Sequence, residues 1–347
     1  MKLAIEIPGI GTHPESLGLT VEWVQIAERL GVDMAFSAEA WWSDAVTPLA
    51  YLADKTETIK LATGIMQVTA RTPAMAAMTA LTLHDMTGGR FILGLGASGP
   101  QVVEGLHGVR YKAPLSRLKE TVDICRMVFA GEKVRYEGKV FQLPLPDSEG
   151  KAIRIAHEPT EIPIYLATLG PNALKFTGAS ANGWLGTSFS PDHPEAHLDY
   201  LKAGANETDR SLNDINLCVS VRVEIGDNVE EMIERRKQGV AFNMGGMGST
   251  KTNFYNDAFK RAGYEDDARA IQSLWIDGKR DEAARRVPDA MVTEFQALGT
   301  RDMVKERLKK YKDVGINTLK LGLDSAGPLG PERFALLEEI VDLTQDF

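Results

Sequence analysis

An apolar run ends in Gly94, Gly96 and Gly99 within GRFILGLGASGPQVVEGLHG, residues 89–108, and spells G-x-G-x-x-G, a spacing that cradles a pyrophosphate when a helix opens at the third glycine. Two further demands of that fingerprint are not met. A loop-like QVVEGLHGVRYKAPL follows Pro100, and the acidic residue expected roughly twenty positions on falls in a helical pattern. A second stretch, AEAWWSD, sets Glu39 beside Trp41, Trp42 and Asp44. Glu39 in a pocket is a group for proton transfer, its pKa raised by burial; the competing reading is a carboxylate bonded to backbone or to Arg71. The tryptophans either wall a pocket against water or belong to a core or an interface. His13 and His107 are loop imidazoles, each able to move a proton or to make a packing contact. In ATLGPN, Gly170 and Pro171 open a helix whose free backbone N–H groups and dipole suit a phosphate; the same pair is also an ordinary helix start with proline at its first position.

Other chemistries find no support. Of the 6 histidines only His193 and His197, in HPEAH, stand at H-x-x-x-H spacing, and none has a cysteine partner, so no metal site is expected. GASGP lacks the frame of a nucleophile elbow, which disfavours a hydrolase. Cys125 and Cys218 sit in apolar segments without C-x-x-C spacing and read as two buried thiols in a reducing compartment. A formal net charge of −9 with no basic cluster argues against nucleic acid. MKLAIEIPGIGTHPE is too short in apolar residues for a signal or a membrane span, so a soluble, cytoplasmic protein is expected.

These residues need a scaffold that brings many loops together. Short apolar runs alternate with helical patterns, the rhythm of β-α units. Strands are expected at KLAIEI, VDMAFSAE, TIKLATGI, RFILGLG, IPIYLATLG, GWLGTS, INLCVSVRVEIG and NTLKLGLD, with helices between them. Eight such units predict an α/β fold, a single (β/α)₈ TIM barrel over residues 1–347 with insertions near 131–163 and 243–300. A hairpin is expected around Glu137-Gly138 in the first insertion. In the second, FNMGGMGSTKTNF reads as a mobile lid carrying Lys251, or as a surface turn. TPAMAAMTALTL reads as a helix face packed on the barrel. In a barrel, Gly94 and Gly96 stand at the carboxyl end of strand four, where they let a ligand or a loop approach the backbone.

The run GIMQVTARTPAMAAMTALTLHDMTGGRFILGLGASGPQVVEGLHGVRY, with AEAWWSDAVTPLAYLA and IPIYLATLGPN, resembles the luciferase-like flavin and deazaflavin oxidoreductases. It is most similar to the actinobacterial coenzyme F420-dependent subgroup, related to methylene-tetrahydromethanopterin reductase. The resemblance implies a TIM barrel that binds F420, or alternatively FMN, in the carboxyl-end pocket. It further implies a non-proline cis peptide at Gly64-Ile65 against the ring, although on spacing alone Gly64 equally well ends a strand. Ala38 and Glu39 fall where many F420 enzymes carry an Asp-His pair, which puts Glu39 forward for proton transfer; Trp42 and His13 are the other catalytic candidates. Ser98 and Gly99 fall at positions that contact the cofactor tail. Thr168, Leu169, Gly170, Pro171 and Asn172 match the phosphate loop, with Asn172 where relatives carry lysine. The implied activity is hydride transfer between F420 and a small-molecule substrate by a homodimer. The alternatives are an FMN monooxygenase served by a separate flavin reductase and a non-catalytic flavin-binding barrel.

Overall fold

The computed structural model describes residues 1–8, 15–249 and 252–347; His13 and Lys251 lie outside the described residues. From the amino end the chain forms β1 (Lys2–Ile7), α1 (Glu15–Arg29), β2 (Met34–Ser37), α2 (Val46–Ala53), β3 (Lys60–Thr63), β4 (Met66–Gln67), α3 (Pro73–Met86) and β5 (Phe91–Gly96). Next come α4 (Pro100–Gly105), α5 (Pro114–Phe129), a hairpin of β6 (Tyr136–Glu137) and β7 (Gln142–Leu143), then β8 (Ile164–Ala167), α6 (Pro171–Ser180), β9 (Gly183–Gly186) and α7 (Glu195–Asn206). The chain continues through β10 (Asn216–Ile225), α8 (Val229–Gly245), α9 (Phe254–Arg261), α10 (Glu265–Ile276), α11 (Arg280–Arg285) and α12 (Asp289–Thr293). It ends with β11 (Ala297–Gly299), α13 (Arg301–Asp313), β12 (Thr318–Gly322) and α14 (Pro331–Thr344).

Strands β1, β2, β3, β5, β8, β9, β10 and β12 are the eight expected from the sequence, and they close into a parallel (β/α)₈ barrel. Two short elements break the expected pattern. Helix α4 opens directly at Gly99-Pro100, where a loop was expected; its six residues are too few for helical periodicity to show. Strand β11 pairs with β10 inside the block read as wholly helical.

Two compact units divide the chain. The first comprises Glu6–Ala167 with Ala181–Gly183. Its strands are apolar throughout because both faces are covered: every residue of β2 and β5 is buried. On α3 the sequence reading needs correction. Ala76, Ala77, Ala80, Leu81 and Leu83 make the buried face, whereas Met75, Met78 and Met86 are 51, 43 and 49% exposed. Small side chains let α3 lie close, and the methionines turn outward.

The second unit comprises Met1–Ile5, Thr168–Ser180 and Trp184–Phe347. Its helical block carries a core of its own, in which Val240, Met244, Phe259, Ile271, Met291 and Phe295 cluster, with the rings of Phe259 and Phe295 stacked at 4.2 Å. Burying about one such side chain contributes roughly 1.5–3 kcal/mol, which is how α8 to α12 hold together without a sheet of their own. Cys125 and Cys218 are buried thiols outside any disulfide, and burial pushes the Cys125 thiol up to about 12, leaving it inert at neutral pH. Among the described residues no helix is long and apolar enough to cross a membrane, and no cluster of three His, Cys, Asp or Glu could hold a metal ion.

Candidate active site

In the first unit the carboxyl ends of β2, β3, β4 and β5 meet around one carboxylate. Glu39 follows β2 and is 9% exposed. Its Oε1 accepts from the Gln67 N–H at 2.7 Å and from Arg71 Nη1 at 2.7 Å; its Oε2 accepts from the Ala45 N–H at 3.2 Å and from Arg71 Nη1 at 2.9 Å. Each carboxylate oxygen therefore has two donors, which uses its lone pairs. This is the arrangement of the structural alternative, a brace paired with Arg71, and it leaves no oxygen directed at a reacting atom. The Glu39 main chain extends the brace: its N–H donates to Ile65 O at 3.3 Å, and its carbonyl accepts from Gln67 Nε2 at 3.2 Å. Asp44 follows in the same loop, just before α2. Burial disfavours its charged form, but hydrogen bonds from Thr47 and Val46 and the nearby Arg71 together hold its carboxyl below the usual range.

The peptide between Gly64 and Ile65 is cis. The glycines on either side of it have a packing reason. A Cβ on Gly64 would lie 2.9 Å from Phe36, and one on Gly96 would lie 2.9 Å from Ile65 Cδ1. At Gly94, Thr63 Oγ1 donates to the carbonyl and accepts from the N–H, both at 2.8 Å. So the close approach expected at Gly94 and Gly96 is made by the side chains of Thr63 and Ile65, and these glycines seat the cis segment against β5. Ser98 follows with φ +57, a left-handed conformation, and Tyr111 Oη donates to its carbonyl at 3.0 Å. Burial raises the Tyr111 pKa to about 12, so the phenol stays a donor. Gly99 is the extended residue that starts α4.

Trp41 and Trp42 pack edge to face at 5.3 Å and are 58 and 55% exposed, which removes the core reading for both. Ala38 is half-buried between β2 and Glu39. Two polar atoms just after the cis peptide are buried without a partner among the described residues, Gln67 Oε1 and Thr69 Oγ1. An orphaned buried acceptor costs roughly 1–3 kcal/mol, so such atoms mark where a polar ligand group or water belongs.

In the second unit the loop Thr168–Asn172 is fixed from below and left open at its end. Thr168 is buried, its hydroxyl paired with Thr177 at 2.7 Å and its carbonyl accepting from Trp184 Nε1 at 3.0 Å. The Leu169 carbonyl accepts from Arg261 Nη2 at 2.7 Å. The first α-helical bond of α6 runs from Leu174 N–H to Gly170 O at 2.9 Å. The Asn172 and Ala173 N–H groups precede it and have no intrahelical acceptor, and Pro171 and Asn172 are exposed. That leaves donors and the positive end of a helix dipole facing outward.

A family model described as luciferase-like monooxygenase matches residues 1–318. The chain belongs to this family. It is similar along almost its whole length to proteins named for redox chemistry. It is 37% identical over 335 residues to Rv3520c of Mycobacterium tuberculosis, provisionally named a coenzyme F420-dependent oxidoreductase, covering 94% of this chain and 96% of that one. It is 26% identical over 317 residues to 5,10-methylenetetrahydromethanopterin reductase of Archaeoglobus fulgidus, covering 90% of each. The solved structure of the coenzyme F420-dependent tetrahydromethanopterin reductase of Methanopyrus kandleri superposes with a TM-score of 0.76 at 24% identity, over 98% of this chain and 97% of the other. That likeness establishes the luciferase-like barrel.

Sequence reasoning missed two features of these sites: the Tyr111 bond to Ser98 and the Arg261 bond to Leu169. The last joins residues 92 apart in sequence. Bonding of Glu39 to backbone or to Arg71 was one of its two sequence readings, and both kinds of donor are present, the backbone ones being the Gln67 and Ala45 N–H groups.

Proposed function

We propose that this luciferase-like protein is a coenzyme F420-dependent oxidoreductase acting on a small carbonyl, alcohol or activated alkene. The observation that carries the reading is the 37% identity, over nearly both full lengths, to a protein named for that cofactor. The residues fit the group: orphaned Gln67 Oε1 and Thr69 Oγ1 offer hydrogen bonds beside the Gly64-Ile65 cis peptide, and the α6 start offers N–H donors to an anion. F420, when bound, supplies or takes up the hydride. In this reading Gly64, Ile65 and Ala38 back the ring. Ser98 and Gly99 contact the tail, and Thr168, Leu169, Gly170, Pro171 and Asn172 hold the phosphate. Trp42 keeps water from the reacting atoms, and Glu39 acts through Ile65 and Gln67 as a positioning residue.

The protein is further proposed to be cytoplasmic and to work as a homodimer. Met75, Met78 and Met86 support the dimer, because they fall on one exposed face of α3 that a second copy would cover. Turnover tests the main reading: oxidation of reduced F420 across a panel of ketones, aldehydes and enones is expected to find a substrate. Oxygen-dependent turnover with reduced FMN and a flavin reductase, and none with F420, would replace it with the monooxygenase alternative.

A further inference from the structure

The stretch VRYKAPLSR carries Arg110, Lys112 and Arg117 and no acidic residue, too few cations for a nucleic-acid footprint but enough to hold one small anion. It runs from α4 into α5, and the first unit folds it against the loops that leave β4 and β5: Arg110, Tyr111, Lys112 and Arg117 line one narrow cleft with Thr69 and Ala97. Arg110 and Lys112 are exposed and Arg117 is half-buried. Among the described residues none of the three side chains meets a carboxylate; the Arg117 guanidinium stands instead over the Phe141 ring, 5.1 Å from its centre. The acids nearby in sequence are turned elsewhere. Glu104 accepts from the Tyr111 N–H at 3.0 Å, and buried Glu120, one turn beyond Arg117, accepts from the Lys139, Val140 and Phe141 N–H groups at 2.8–3.1 Å. Glu120 therefore fixes the residue on which Arg117 rests and does not neutralise it. Cations at the start of a helix also face the positive end of its dipole, so three of them unpaired at the start of α5 repel one another and the helix, and a bound anion relieves both. Thr69 adds a neutral group, because its Oγ1 is buried without a partner among the described residues. The Tyr111 bond to Ser98 O, at 3.0 Å, ties the cleft to the end of β5.

We propose that this cleft is an anion-binding subsite of the first unit, in which Arg110, Lys112, Arg117 and the Thr69 hydroxyl take one carboxylate or phosphate group. The anion accepts charge-assisted hydrogen bonds from the guanidinium and ammonium groups, and Phe141 keeps the Arg117 plane oriented for two parallel bonds. Two molecules of the proposed reaction can carry such a group: F420 itself, which ends in γ-linked glutamates, and a substrate with a carboxylate or phosphate of its own. The subsite does not depend on the cofactor assignment, because its cations are unpaired whichever cofactor the chain binds.

Inorganic phosphate is the first probe. In ligand-free protein with isotope-labelled threonine methyl groups, the NMR resonance lost in Thr69→Val should shift with added phosphate at constant ionic strength. Combining Arg110→Gln with Lys112→Gln, both at exposed positions, should raise the midpoint of that shift about tenfold or more. A Thr69 resonance that stays still up to about 50 mM phosphate, or that shifts alike in the double variant, overturns the subsite. Cofactor fluorescence then separates the two sources. With the tail as occupant, F420 binds wild type about tenfold more tightly than F420 trimmed of its glutamates, and the advantage disappears in the double variant. Equal binding of the two forms, with phosphate still moving Thr69, assigns the subsite to an anionic group of the substrate. Failure of F420 to bind in either form, with the phosphate shift intact, refutes the F420 reading and leaves the subsite standing.

Discussion

Removing either member of the Glu39–Arg71 pair is expected to loosen the site before it touches chemistry. The side chains of Glu39 and Arg71 are 7 and 20% exposed, so Arg71→Met leaves a carboxylate in a mostly dry position with only two backbone donors. Breaking a fully buried pair costs about 3–5 kcal/mol, and the partial exposure of Arg71 lets water replace some of it, which brings the expected loss to about 2–3 kcal/mol. Glu39→Gln preserves shape, but its NH₂ must face N–H donors in either orientation, for a similar cost of about 2 kcal/mol. In a unit of this size, that lowers the melting temperature by roughly 4–12 °C. The double variant should lose clearly less than the two singles together, because both remove the same contact. Thermal unfolding followed by circular dichroism reads all three proteins. Shifts below about 1 °C for both singles, or strict additivity, would refute the brace. Glu39→Gln with an unchanged melting temperature but lost turnover would instead return Glu39 to proton transfer.

Two other outcomes follow from particular residues. His197 is 1% exposed between the rings of Trp184 and Phe189, both its nitrogens lack hydrogen-bond partners among the described residues, and burial, with Arg261 adding to it, lowers its pKa to about 3. The folded chain binds no proton there while the unfolded chain binds one below its usual value near 6.5, so stability is full above about pH 6.5 and falls as pH drops toward 3, by up to roughly 4–5 kcal/mol from this one group. His197→Phe should flatten the dependence of the urea midpoint between pH 6 and 4, and an unchanged slope would assign acid lability to other groups. For the α3 face, Met78→Glu is expected to convert a dimer to monomer in analytical ultracentrifugation with little change in melting temperature; a wild-type monomer at tens of micromolar would end the dimer reading.

The eight strands were legible because each is a run of apolar residues bounded by glycine, proline or polar turns, and a barrel strand buried on both faces must read that way. The cis peptide was legible only through resemblance, since Gly64 on its own looks like any strand end. Helix α4 and strand β11 escaped because a six-residue helix and a three-residue strand are shorter than the period that betrays them. The methionines of α3 were misplaced for a different reason: alanine and methionine alternate along that helix, and which of two apolar faces turns inward depends on how closely the sheet can be approached. At the site, Glu39 and a bond to backbone or to Arg71 were legible, but that the donors are the Gln67 and Ala45 N–H groups depends on how the loops fold around the carboxylate, which no side-chain pattern reveals.

The family assignment leaves the cofactor as the central claim, and binding reads it without any knowledge of the substrate. Purified protein titrated with F420 and, separately, with FMN, each followed by cofactor fluorescence, should bind F420 in the low micromolar range or tighter and FMN much more weakly. Tight binding of FMN with no response to F420 would contradict the account.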